Sequence, residues 1–160
     1  MDKNVRKDLE IFALKIRMGV IEGTYNAKAG HPGGSLSVAE VLAWLYNGEM
    51  RVDPKHPDDP DRDRRVLSKG HAAPALYAAL ALKGFFPLDE IKKLRKINQL
   101  LQGHPDMKHI PGVDMSTGSL GQGISAACGM ALSAKMSGKD YRVYAILGDG
   151  EIEEGQVWEA

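Results

Sequence analysis

Tyr141-Arg-Val-Tyr-Ala-Ile-Leu147-Gly148-Asp149-Gly150 decides the fold. Only Arg142 interrupts its apolar and aromatic run before Gly148, and there is no alternation of period two. Near-continuous apolar character is the pattern of a parallel strand covered on both faces. The strand runs straight into Gly148-Asp149-Gly150, and a helix-compatible run starts at Glu151. Strand, tight turn and helix in that order predict the α/β class, with a mostly parallel sheet flanked by helices. In such sheets ligands bind beyond the carboxyl ends of the strands. A carboxylate between two glycines can hold Mg²⁺ there, while phosphate oxygens and water fill the metal's other positions. Asp-Gly is also a common plain turn, so the strand before it is what argues for a ligand.

Working outward, Val5, Leu9, Phe12, Ala13, Ile16, Val20 and Ile21 recur at steps of three and four. They predict an amphipathic helix ending near Ala27. After the loop Ala29-Gly-His-Pro-Gly-Gly-Ser35, Ser37 and Glu40 have capping-box spacing, with Val38, Val41, Leu42 and Leu45 as the buried face of a second helix. Residues 53–63 are too rich in Pro and Asp for regular structure and read as a surface loop. A short strand is expected over 65–68 and an apolar helix over 72–82. A further helix is expected from 88 to about 98, since Pro87 and Asp89-Glu90 suit a helix start. A Gly/Pro loop over 102–118 then leads to a small-residue helix from about 120 to 136. The whole chain, 1–160, is expected to be one partial domain, without repeats or a linker.

The 160 residues carry 21 Lys and Arg against 21 Asp and Glu. No chain-wide basic field exists to gather nucleic acid or an anionic membrane, so neither is expected as a partner. At 43% hydrophobic and 26% charged the composition is that of an ordinary soluble domain. No apolar stretch reaches the roughly 18 residues of a membrane span, and none near the N-terminus suits a signal peptide. Cys128 lies in the apolar run 124–131 and is expected as a small buried packing residue. A single cysteine fits a reducing, cytoplasmic location.

Three of the five histidines directly follow glycine: His31, His71 and His104. Random placement of the 18 glycines would give about 0.6 such pairs, so three is roughly a one-in-a-hundred excess. All three fall in loops or at element junctions. Glycine there lets a ligand approach the backbone, and an imidazole can donate, accept or move a proton near neutral pH. Each alone is more readily a turn histidine; together they favour a site. His56 and His109 lie in polar loops and read as solvated. Met115-Ser-Thr-Gly118-Ser119-Leu120-Gly121-Gln-Gly123 is a glycine-rich turn entering a helix. Its free N–H groups could meet an anion or a heterocycle, although close helix packing would need the same glycines.

In chain order, Gly30-His-Pro-Gly-Gly-Ser35, Ser68-Lys-Gly-His-Ala72, Gly103-His-Pro105, Ser116-Thr-Gly-Ser-Leu-Gly-Gln-Gly123 and Gly148-Asp-Gly150 resemble the N-terminal, diphosphate-binding module of transketolase. The resemblance implies a thiamine diphosphate-binding fold and transfer of a two-carbon ketol unit from a ketose phosphate to an aldose phosphate. The cofactors implied are thiamine diphosphate, which supplies the carbon nucleophile and the electron sink, and Mg²⁺. By motif match Asp149 would ligate Mg²⁺ and the Gly150 amide would touch the diphosphate. His71 would contact the diphosphate region and line the active site. His31 and His104 would bond donor hydroxyls and the carbonyl oxygen, or help move protons there. Gly118, Ser119 and Leu120 would pack against the cofactor; many relatives carry Pro in place of Ser119. Glu154 matches a glutamate at the interface with the pyrimidine-binding module.

The family's motif also needs an Asn metal ligand a few tens of residues beyond Gly150, and the sequence stops at Ala160. The glutamate that activates the aminopyrimidine belongs to the other module. The expectation is therefore a truncated part of a split transketolase subunit, inactive alone. It would need a pyrimidine-binding partner subunit in a heterotetramer or a dimer of modules, and would act on sugar phosphates. Rival readings are an enzyme like 1-deoxyxylulose-5-phosphate synthase, or a non-catalytic binding module. Gly30-His-Pro-Gly-Gly with Leu36-Ser, and the Ser68-Lys-Gly-His form, match transketolase better.

Overall fold

A computed structural model describes residues 2–160. The chain forms two compact units, one from residues up to 50 together with 71–103, the other from 51–70 together with 104–160.

The first unit is helical. Helix α1, Lys3–Ala27, starts where the Asp2 carboxylate accepts the Asn4 N–H at 2.7 Å and stops at Lys28, whose backbone is left-handed at φ 53°. Its buried face is Ala13, Ile16, Gly19, Val20 and Gly23. Val5 and Ile21, expected on that face, are 47% and 52% exposed. The inward stripe is turned toward the glycines because α4, Ala73–Lys83, comes too close for anything larger. A Cβ built on Gly19 would stand 2.8 Å from the Ala78 Cβ. Every residue of α4 from Ala73 to Ala81 is buried, so this helix has no solvated face. Ile16, Val20, Leu76 and Leu80 are wholly out of solvent, each worth about 1.5–3 kcal/mol in transfer free energy.

The second helix of the sequence reading is broken in two: α2, Pro32–Leu36, and α3, Ala39–Trp44, which continues into a π-helical turn, Leu45–Glu49. Ser37 forms no capping box. Its hydroxyl donates back to the Gly34 carbonyl at 3.0 Å, closing α2, and Val38 heads α3 without a side-chain cap. Pro32 at the first helical position lets the helix start inside what reads as a loop. The helix expected from 88 to about 98 is only a 3₁₀ turn, Leu88–Lys93. Leu94 turns extended, and Arg95 and Asn98 take left-handed backbones, with the Arg95 N–H donating to the Leu101 carbonyl.

The second unit holds the sheet. Strand β1, Arg64–Leu67, pairs in parallel with β2, Val143–Ile146, in the register Arg64↔Val143 to Leu67↔Ile146. Helix α5, Gln122–Met136, packs on both strands. β1 is buried apart from Arg64, whereas β2 is half-buried along its length and pairs with β1 alone among the described residues. Within residues 2–160 β2 is thus covered only in part. Cys128 departs from expectation: it lies on the exposed side of α5. Small residues on every face of α5 hide which face turns inward.

The 53–63 segment is a chain of turns, but its last residue is fully buried. The Asp63 carboxylate accepts N–H groups of Arg51 at 2.9 Å and Arg142 at 2.8 Å, and the Arg51 guanidinium at 3.1 Å. Burial pushes its pKa up, and these donors more than offset that, so the group titrates below its ordinary value. Asp114, also buried, accepts the Arg65 N–H at 2.8 Å and bonds the Arg62 guanidinium. Among the described residues no helix is long and apolar enough to cross a membrane.

Candidate active site

In the second unit three loops meet at the carboxyl ends of β1 and β2. The first leaves β1 through Ser68, Lys69 and Gly70, all buried. The second is the glycine-rich turn. The Thr117 hydroxyl donates to the Leu67 carbonyl at 2.7 Å, and a Cβ on Gly70 would stand 2.6 Å from the Thr117 carbonyl oxygen. Gly70 is thus required by a backbone-to-backbone approach, the reason for glycine in the Gly70-His71 pair. Within the same turn, a Cβ on Gly118 would touch the His104 ring at 3.2 Å, so the two sequence-predicted residues are neighbours. Ser119 and Leu120 are exposed, and Gly121 takes φ 81° as it caps α5.

The third loop follows β2. Asp149 and Gly150 are exposed at its tip, and a Cβ on Gly150 would meet nothing within 4 Å. The turn closes through Ile152 N–H to the Gly148 carbonyl and Glu153 N–H to the Gly150 carbonyl, both at 3.2 Å, leading into a 3₁₀ turn, Glu151–Glu153. Helix α6, Gly155–Glu159, follows Glu154, which is exposed. Asp149 therefore offers a carboxylate to solvent beside an unobstructed peptide. Among the described residues no three His, Cys, Asp or Glu cluster as a ready metal site. A divalent ion here would have to complete its shell with water and ligand oxygens.

The first unit brings His31 and His71 together. Their ring centroids are 5.4 Å apart with planes inclined by 60°. His31 heads α2 and is exposed; its carbonyl accepts the Ser35 N–H at 3.1 Å. His71 lies in the 3₁₀ turn Gly70–Ala72 that leads into α4. Gly34 faces its ring so closely that a Cβ would stand 3.1 Å from Nε2. The motif Gly30-His-Pro-Gly-Gly-Ser35 thus brings one imidazole to another and sets Gly34 against the second ring. His56 and His109 are solvated as expected, each side chain 73% exposed and paired three residues back, with Asp53 and Asp106. An apolar groove between α1 and α3, lined by Leu14, Ala43 and Trp44, carries the Arg6–Glu10 and Arg17–Glu40 pairs and none of the Gly-His motifs.

Glu151 plays no part in the sequence reading beyond starting a helical run. It is 2% exposed and accepts hydrogen bonds from all three loops of the second unit. Its signal was a carboxylate directly after Gly-Asp-Gly, where the chain has just left the sheet.

The described geometry has close relatives. The family of the transketolase thiamine diphosphate binding domain matches residues 10–160. The chain is 53% identical over 153 residues to the 6-deoxy-6-sulfo-D-fructose transketolase subunit of Clostridium sp. (strain MSTE9), covering 96% of this chain and 56% of that subunit. It is 49% identical to the transketolase of Mus musculus, covering 99% of this chain and 26% of that protein. The crystal structure of transketolase from Campylobacter jejuni superposes with a TM-score of 0.88 at 33% identity, covering 99% of this chain and 26% of that one. The chain therefore spans about half the length of the subunit relative and about a quarter of the full transketolases.

Proposed function

The chain belongs to the transketolase thiamine diphosphate-binding domain family, and from that premise we propose that it is the diphosphate-side part of an Mg²⁺- and thiamine diphosphate-dependent ketol transferase acting on sugar phosphates. Its two units are read as parts of one domain, since a single family model runs through both. The observation that carries the proposal is the convergence of the glycine-rich turn, the Ser68–Gly70 loop and Gly148-Asp149-Gly150 at the strand ends.

The residues fit the group. A diphosphate with its metal needs an exposed carboxylate, a backbone it can approach closely and no side chain in the way. Asp149, Gly150 and the Gly70–Thr117 contact supply these. When bound, the cofactor supplies the carbon nucleophile and the electron sink that cleave and re-form the ketose carbon–carbon bond. Asp149 would give one hard oxygen to Mg²⁺, and the Gly150 N–H would meet the diphosphate. Gly118, Ser119 and Leu120 would pack against the cofactor. His71 would hold the diphosphate side. His31 and His104 bond the donor sugar's hydroxyls and carbonyl oxygen and hold or move protons there. Glu154 faces a pyrimidine-binding partner subunit, in a dimer of modules or heterotetramer. The subunit relative is described as acting on 6-deoxy-6-sulfo-D-fructose; sugar phosphates and such sulfo-sugars share the ketose end that these histidines would grip. A reducing cytoplasm suits an exposed Cys128 and metabolites of this kind.

Titrating thiamine diphosphate at fixed Mg²⁺ into the assembled enzyme tests the assignment. Asp149→Asn should weaken binding at least tenfold with little change in melting temperature, because the amide is nearly isosteric but a poor ligand for a hard cation. His31→Ala and His104→Ala should keep cofactor affinity and lose turnover, and His71→Ala should lose both. Unchanged affinity in Asp149→Asn would sink the proposal.

A further inference from the structure

We propose that Glu151 is a positioning residue: one buried carboxylate that holds the three loops of the diphosphate site at their working separation without touching the cofactor. This rests on the function proposed above. Glu151 Oε1 accepts the Ser68 hydroxyl at 2.5 Å and the Gly121 N–H at 2.9 Å; Oε2 accepts the Gly148 N–H at 2.9 Å. Ser68 is 83 residues away in sequence and Gly121 is 30 away, so the three bonds tie separate segments rather than one turn. Each donor stands beside a proposed contact. Ser68 precedes Gly70-His71, Gly121 ends the wall of Gly118, Ser119 and Leu120, and Gly148 precedes Asp149.

The chemistry calls for a carboxylate. Three donors converge on two oxygens, and an ionised carboxylate accepts all of them, whereas an amide must turn an N–H toward one. With both oxygens engaged by the protein and the residue 2% exposed, Glu151 presents no carboxylate oxygen to a ligand in solvent. Gly123 serves the same contact: a Cβ there would stand 2.5 Å from the Ser68 Oγ and 2.7 Å from its Cα, so only glycine lets α5 sit close enough for Gly121 and Ser68 to share one oxygen. The separation of the loops, not only their stability, then depends on residue 151.

The test uses the assembled enzyme and two readouts. In the cofactor-free protein, Glu151→Gln should accelerate amide hydrogen exchange at Gly121 or Gly148 at least tenfold while exchange within the β1–β2 pairing stays as in the unsubstituted enzyme. By calorimetry, its dissociation constant for Mg²⁺–thiamine diphosphate should rise at least tenfold at a temperature where circular dichroism shows it folded. Ser68→Ala, which releases one of the three loops and leaves both backbone donors in place, should raise that constant by less than Glu151→Gln does. A Glu151→Gln enzyme that binds within twofold of the unsubstituted one, or whose loop amides exchange unchanged, overturns the proposal. Should Glu151→Gln fail to fold, Glu151→Asp decides: it keeps the charge but withdraws the oxygens by one bond, and a rise of threefold or more supports positioning while no rise overturns it. Failure of the unsubstituted enzyme to bind thiamine diphosphate would instead overturn the functional reading, and loop exchange would still report whether Glu151 ties the loops.

Discussion

The helical unit and the sheet unit are held by different physics. In the first, α1 and α4 meet through Gly19 and Ala78 and bury Ile16, Val20, Leu76 and Leu80 completely. These four buried side chains carry no charge, and shape decides their fit. In the second, short strands and long loops are pinned by buried carboxylates, Asp63, Asp114 and Glu151, each accepting backbone N–H groups from distant segments. A helix satisfies its own backbone and needs only packing. Loops that must stay open for a ligand cannot bury much apolar area, so hydrogen bonds to charge do the fastening. Asp63, whose buried carboxylate titrates below its ordinary value, should therefore make its unit sensitive to acid.

The largest effect should come from the helical unit. Leu80→Ala should cost about 3 kcal/mol, because the side chain is wholly enclosed and its cavity cannot collapse between helices. Urea unfolding followed at that unit's amides should show the same loss at pH 7 and pH 4, since no titrating group is involved.

Asp63→Asn should come next, at roughly 2 kcal/mol at pH 7, because the amide turns an N–H toward buried donors. The folded-state pKa of Asp63 is lowered, so its contribution is present above the ordinary carboxylate pKa of about 4 and is lost as pH falls through the folded value. The difference between Asp63→Asn and the unsubstituted chain should accordingly shrink below about pH 4. A pH-independent difference would break the contrast between the units.

Gly19→Ala should cost about 1–2 kcal/mol, since the new methyl meets the Ala78 Cβ, part of a buried helix that cannot swing aside. A neutral result in thermal unfolding would show that the α1–α4 fit is looser than the geometry. The smallest effect is expected at Lys28→Gly. It relieves a left-handed backbone but loses the ammonium's position 3.7 Å over the Tyr25 ring, leaving a gain of roughly 0.5 kcal/mol.

How much was legible follows the same division. The ends of α1, α4 and α5, the β2 strand and its Gly-Asp-Gly exit were readable because local pattern and local structure agree there. The histidines at 31 and 71 were marked by preceding glycines, and the structure supplies the reasons: Gly70 meets a backbone, and Gly30 takes φ 130° where a Cβ would stand 2.9 Å from the Thr24 Cγ2. The break between α2 and α3 was not legible, because Ser37 could bond forward as a cap or backward to Gly34 and the sequence does not distinguish the two. The helix expected after Leu88 failed because left-handed turns at Arg95 and Asn98 carry no glycine to announce them. Glu151 and Asp63 were hidden for a further reason. A charged residue in a loop looks solvated until the distant N–H groups that surround it are in place.

Pairing β1 with β2 also orders events as the polypeptide leaves the ribosome. The helical unit draws its last segment from residues up to 103, so its core can close while the rest is still being made. Asp63 must wait for the Arg142 N–H, 79 residues downstream. At elongation rates of about 5–20 residues per second, β1 and the acid-rich turns before it hang unpaired for about 4–16 seconds as a loop out of an already folded body. Seven charged residues in the turns before β1, Asp53, Lys55, Asp58, Asp59, Asp61, Arg62 and Asp63, keep that nascent loop hydrated. A strand with such a leader can afford the delay without finding the wrong neighbour.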